Sequence, residues 1–197
     1  ERNKMSLSRL QMVLWTILIL SGFLAVALVN IRLVPPQPEP LSIHIPQELW
    51  LLMGISTTSL VGSPLLKSRK QDREPEDTER QRTLGLIAKR GVNMNNVQTN
   101  GQVVVNARTE DAGWSDLFSG EETGNAAQLD LGKVQMFYFT VVLVLAYAVA
   151  LGNALHNSAG LITAFPAVDS GMVTLLGISH AGYLANKAVP HSKTGDT

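Results

Sequence analysis

Residues 9–56 and 133–179 repeat one pattern, and each copy holds two apolar runs of membrane-crossing length. Arg9-Leu10-Gln11-Met12 answers Lys133-Val134-Gln135-Met136, and Ala25-Val26-Ala27-Leu28 answers Ala148-Val149-Ala150-Leu151. Gly54-Ile55-Ser56 answers Gly177-Ile178-Ser179. Repetition of a whole supersecondary unit is an architectural signal. Met12–Val29 and Val134–Leu151 are uncharged runs of 18 residues. That is near the lower end of what spans a hydrocarbon core of ~30 Å at ~1.5 Å per residue. Leu49–Leu66 and Gly171–Val189 are more polar, and their place in the repeat makes them spans as well. The fold expected is an all-α membrane protein, with four transmembrane helices arranged as two repeated hairpins.

Charge placement sets the orientation. Ten of the 16 Lys/Arg and 11 of the 16 Asp/Glu fall between residues 67 and 133. Arg32 is the one basic residue in the connections 30–48 and 152–170. Excess Lys and Arg mark the cytoplasmic side. Both termini and the middle segment are therefore expected in the cytoplasm, with two short Pro-bearing loops outside. This divides the chain into a first hairpin module (1–67), a cytoplasmic segment (68–132) and a second hairpin module with its tail (133–197).

The cytoplasmic segment reads as small and mixed. Mixed charge after Pro75 predicts a solvated helix or flexible arm. Val97 and Val103-Val104-Val105, turning at Asn100-Gly101, predict a β-hairpin. Trp114, Leu117 and Phe118 sit at i, i+3, i+4, which predicts an interfacial helix anchoring at the lipid headgroups. Gly120-Glu121-Glu122-Thr123-Gly124-Asn125 is a carboxylate pair in a Gly-flanked turn, which reads as a solvated turn and lacks the ligand count of a calcium loop.

Nothing in the spacing points to catalysis. Cysteine is absent, and the four histidines have no metal spacing. Net charge is zero, which gives no argument for nucleic acid. No catalytic residue, cofactor or metal is expected. Gly54, Ser56, Gly177 and Ser179 are expected to form a helix-packing node, because small residues let helices approach in lipid. Polar and ionisable residues in spans also mark pathways, so Ser56, Thr57, Ser179, His180 and Tyr183 are the candidates for an ion path.

Three phrases carry a resemblance: Ser6-Leu7-Ser8-Arg9-Leu10-Gln11-Met12; Trp114-Ser115-Asp116 followed by Gly120-Glu121-Glu122 and Gly124-Asn125; and Leu176-Gly177-Ile178-Ser179-His180-Ala181-Gly182-Tyr183. In these the chain resembles a family of uncharacterised bacterial inner-membrane proteins with duplicated two-helix modules. The resemblance implies a location in the bacterial cytoplasmic membrane and brings no activity. The reading that follows is a non-enzymatic membrane anchor, scaffold or accessory subunit. Its expected partners are the lipid bilayer and a homo-oligomer or larger membrane complex. The alternative is a small oligomeric ion channel or transporter, with polar residues of the second and fourth helices lining the path.

Overall fold

The computed structural model describes residues 2–195. About three-fifths of the described residues are helical, in five α-helices and three short 3₁₀ helices, with one two-stranded sheet. Helices α1 (Leu7–Ile31) and α2 (Gln47–Gln71) form one hairpin, and α4 (Leu131–Asn157) and α5 (Ser170–Ala188) form the other. Between the hairpins lie α3 (Asp77–Lys89), β1 (Val97–Asn100) and β2 (Val103–Asn106). Helix α1 packs on α2 and α4, and α5 packs on α2 and α4.

Each long helix buries a stripe that recurs every three or four residues. In α1 it includes Ser8, Gln11, Trp15, Ile19, Gly22, Val26 and Asn30. In α2 it is Leu49, Leu52, Ser56, Ser59 and Ser63, with Lys70 two turns on. In α4 it is Lys133, Met136, Thr140, Leu143, Tyr147 and Leu151. In α5 it is Val173, Leu176, His180, Tyr183 and Lys187. This spacing is that of a helical bundle seam. The outward faces are apolar too: Ile17, Leu20, Leu24, Val142 and Leu145 are all exposed. A helix apolar on its outer face while it buries Ser, Gln, Thr, His and Lys is built for lipid outside, since water would penalise that surface.

Three helices, α1, α2 and α4, are long and apolar enough to cross a membrane. The four spans expected from sequence are thus met in part. Helix α5 has 19 residues, a length of about 28 Å. Ser179, His180, Asn186 and Lys187 fall in its second half, so no 18-residue stretch of it is as apolar as those in α1, α2 and α4.

The repeat does not extend to burial. Met12 is 38% exposed, whereas its counterpart Met136 is 0% exposed. Gln11 is buried, whereas Gln135 is exposed. The matched segments present different faces to the bundle because each neighbours different helices.

The two loops at one end are joined. His44 N–H donates to Thr163 O at 2.8 Å, and Phe165 N–H donates to His44 O at 2.9 Å. The buried Asn30 side chain donates to Pro40 O and Ile162 O and accepts from Ile162 N–H. Trp15, Ile19, Val26, Leu49, Leu52, Leu151 and Phe165 belong to the apolar core of that half. Gly22 leaves room for the Leu151 side chain there, which a Cβ at this position would overlap.

The chain segment 72–130 caps the other end. Strands β1 and β2 pair antiparallel, Val97 with Asn106 and Asn100 with Val103. Gly101 turns the hairpin at φ +54°, where a Cβ would also collide with Gln71 O. The β-hairpin expectation is met. Ile87 of α3 packs with Val104, Ala126 and Ala127 beneath the sheet, so this helix is docked rather than loose.

Candidate functional site

Glu121 and Glu122 occupy the junction between cap and bundle. They lie on an extended stretch beside β2, with Val104 N–H donating to Glu121 O at 2.9 Å and Thr123 N–H to Gln102 O at 2.8 Å. Asn125 Oδ1 accepts the N–H groups of both glutamates, at 3.1 and 3.0 Å, and so shapes the turn that presents them. A Cβ at Gly120 would overlap Asn125, and one at Gly124 would overlap His191 O. Only glycine fits in either place.

Four cations converge on Glu121. Its Oε1 meets Arg2 Nη2 at 3.2 Å and Lys133 Nζ at 3.0 Å. Its Oε2 meets Lys187 Nζ at 2.7 Å and Lys67 Nζ at 3.2 Å, contacts that are ion pairs rather than aligned hydrogen bonds. Glu122 takes Lys70 Nζ at 2.5 Å and the His191 N–H at 2.8 Å. Lys70 also donates to Lys187 O and Val189 O at the end of α5, where helix carbonyls lack internal partners. One carboxylate pair therefore ties the N-terminus, α2, α4, α5 and the tail to the cap.

The electrostatics follow from this crowding. Burial alone would raise the Glu121 carboxyl, but Lys133, Arg2, Lys187 and Lys67 together hold it well below the usual carboxylate range. Nearby, Lys4 pairs with Asp116 at 3.5 Å. Burial lowers the Lys4 ammonium, and Asp116 offsets part of that.

A ladder of polar groups runs from this cage into the bundle. Lys187 donates to Tyr183 Oη at 2.9 Å and to Ser63 Oγ. Above them, Ser59 Oγ lies 2.6 Å from His180 Nδ1, and Gln11 donates to Thr140. Beyond that depth the core is the apolar cluster around Leu49, Leu52, Val173 and Leu176.

The residues singled out from sequence separate here. Ser56 is buried and bonds Leu52 O, while Thr57 is exposed and bonds Met53 O. His180 and Tyr183 are in the ladder, and Ser179 is half-buried beside it. A Cβ on Gly54 meets nothing within 4 Å, and one on Gly177 meets only Ile55 Cδ1 at 3.8 Å. The close-approach role expected of these two glycines is corrected: they border an open groove between α2 and α5. Gly54→Ala is accordingly expected to be tolerated, and to raise stability by about 0.5–1 kcal/mol through helix propensity. Thermal unfolding in detergent checks this, and a loss of 2 kcal/mol or more would restore the packing node (on the order of an overpacked core).

The interfacial face is also corrected in part. Trp114–Leu117 is a short 3₁₀ turn, not an α-helix. Leu117 is 0% exposed, in a cluster with Leu7, Met136 and Tyr183, and Phe118 stacks edge-on against Phe137 at 5.0 Å. The tighter 3₁₀ winding and the Asp116 cap on Gly113 N–H send these two inward. Of the three, Trp114 alone stays exposed.

Sequence reasoning placed Lys187 on one side of α5 with His180 and Tyr183, and it missed the other lysines of the cage. Lys67, Lys70, Lys133 and Lys187 each sit near a helix end, where a basic residue ordinarily signals topology and snorkelling. No group of His, Asp and Glu among the described residues is arranged to hold a metal. Comparison with family models, with curated proteins and with solved structures finds no match.

Proposed function

We propose that this chain is an integral membrane anchor or accessory subunit without catalysis, which mounts its cap rigidly at the cytoplasmic face. The observation that carries the reading is the Glu121 cage, which bonds the cap to three bundle helices and the N-terminal arm at once. A cap fastened this way keeps a fixed orientation to the membrane. An enzyme lid or a tethered domain needs the opposite.

In this reading α5 is a fourth span, and both termini and the cap are cytoplasmic. The basic residues of the cage cluster at one end of the bundle, in keeping with the positive-inside rule. The membrane is the bacterial inner membrane, in line with the resemblance noted in the sequence, and the two hairpins descend from one duplicated module. Trp114, with Leu129 and Leu131, dips into the headgroup layer. A homo-oligomer or a larger membrane complex is the assembly served. Cysteine labelling tests the orientation: Gln37→Cys reacts from outside intact cells, and Asn96→Cys reacts only after permeabilisation. Reaction of Asn96→Cys from outside would overturn it.

The channel alternative has one observation in its favour, the polar ladder from Lys187 to His180. Against it, the ladder gives way to apolar core halfway across a single chain. Liposomes holding the purified protein are expected to pass no ions. A selective current lost on His180→Ala would establish the channel instead.

A further inference from the structure

The cage is short of negative charge. Arg2, Lys67, Lys70, Lys133 and Lys187 supply five cations, while Glu121, Glu122 and Asp130 supply three anions, a surplus of two. The neighbouring Lys4–Asp116 pair balances itself. The side chains of Arg2, Lys70, Lys133 and Lys187 are all less than a tenth exposed. That surplus is a formal one, and at such depth it is costly unless a counter-charge accompanies it or a lysine stays neutral. Two further features sit with the surplus. Lysines 67, 70, 133 and 187 border a cavity of about 20 Å³. That is room for one water-sized guest and too little for a phosphate or sulfate. The buried Arg2 Nη1, beside Glu121, has no hydrogen-bond partner among the described residues.

We propose that the cage binds a monatomic anion of chloride size, which supplies missing charge and takes part in holding the cap on the bundle. Lys67 and Lys133, whose ammonium groups keep N–H donors beyond the contacts above, donate to it by charge-assisted contacts. Cap docking then depends on halide, so the anion is a structural ligand of the junction. This stands apart from the anchor reading, since a channel built on the same cage would bind the same ion.

The full chain in detergent or lipid discs is melted in sodium gluconate, chloride, bromide and sulfate at matched ionic strength. Ligand that binds only the folded state raises Tm with the logarithm of its concentration. Chloride and bromide are expected to raise Tm by several degrees in this manner, and gluconate and sulfate are not. Lys67→Met, at the more exposed rim of the cage, keeps the fold by circular dichroism and loses the chloride dependence. A bromide-soaked crystal of the unaltered chain shows an anomalous peak among the four lysines, which decides the matter even if Lys67→Met fails to fold. Equal Tm in chloride and gluconate, full chloride dependence in folded Lys67→Met, or bromide only elsewhere on the surface would each overturn the proposal.

Discussion

Glu121→Gln is expected to lower stability by about 4 kcal/mol, the scale for removing one partner of a buried ion pair. The variant keeps the size of the side chain and leaves Arg2, Lys67, Lys133 and Lys187 facing one another without a carboxylate. An exposed control, Glu110→Gln, should stay within about 0.5 kcal/mol. Chemical unfolding in mild detergent measures both. The pH dependence has a definite sign. Because the folded Glu121 titrates below its unfolded value, its contribution is complete above the unfolded pKa of ~4.3. It is lost as pH falls from there through the lower folded value. Stability should therefore show no loss from this group between neutrality and about pH 5. It should fall under stronger acid, and this fall should be reduced in Glu121→Gln. Equal stability of variant and parent would mean that the cage contributes nothing net.

Gly124→Ala is expected to cost about 3 kcal/mol, at the upper end for overpacking. The added methyl would overlap the carbonyl of His191, which is backbone and cannot swing aside. The Gly124 N–H also donates to Ser192 Oγ at 2.9 Å, so displacing the tail breaks a second contact. His191 N–H holds Glu122, and the strain therefore reaches the cage. Limited proteolysis of the tail after residue 188, compared with thermal melting, would register the change. A Gly124→Ala protein with parental melting and an uncut tail would show that the loop relaxes freely.

Much of the bundle was legible in the sequence. The long apolar runs fall inside α1 and α4, short of their ends by two to six residues, and the β-hairpin follows from its valines and Gly101. Seam positions were harder to find, because lipid removes the usual contrast between an apolar inside and a polar outside. Ile17 and Ile19 are equally hydrophobic, yet Ile17 is 61% exposed and Ile19 only 3%. The polar residues were a partial guide: Ser8, Gln11, Ser56, Ser59, Ser63, Thr140 and His180 face inward, while Ser21, Thr57 and Thr58 are exposed. Glycine misled at Gly54 and Gly177, where repetition drew attention, while Gly22 carries the close contact.

The cage was half legible. The Gly120–Asn125 phrase stood out as a carboxylate pair in a glycine-flanked turn, but a solvated turn and a buried one read alike. Its cations come from positions 2, 67, 70, 133 and 187, which only the fold brings together. Each alone is a basic residue near a membrane end, and that role explains it fully. Leu117 and Phe118 point inward for a similar reason: the 3₁₀ turn and its docking are tertiary facts.

Hydrogen exchange of the unaltered chain in lipid discs tests the clamped cap most directly. Amides lost to solvent only by whole-domain opening exchange slowly, and loosely held segments exchange fast. Residues 103–106 and 120–126 are expected to be protected as strongly as the inner ends of α2 and α4, and to lose that protection together in Glu121→Gln. Rapid exchange of both segments in the parent chain, with the four long helices still protected, would contradict the account: the cap would then be a mobile appendage rather than a mounted one.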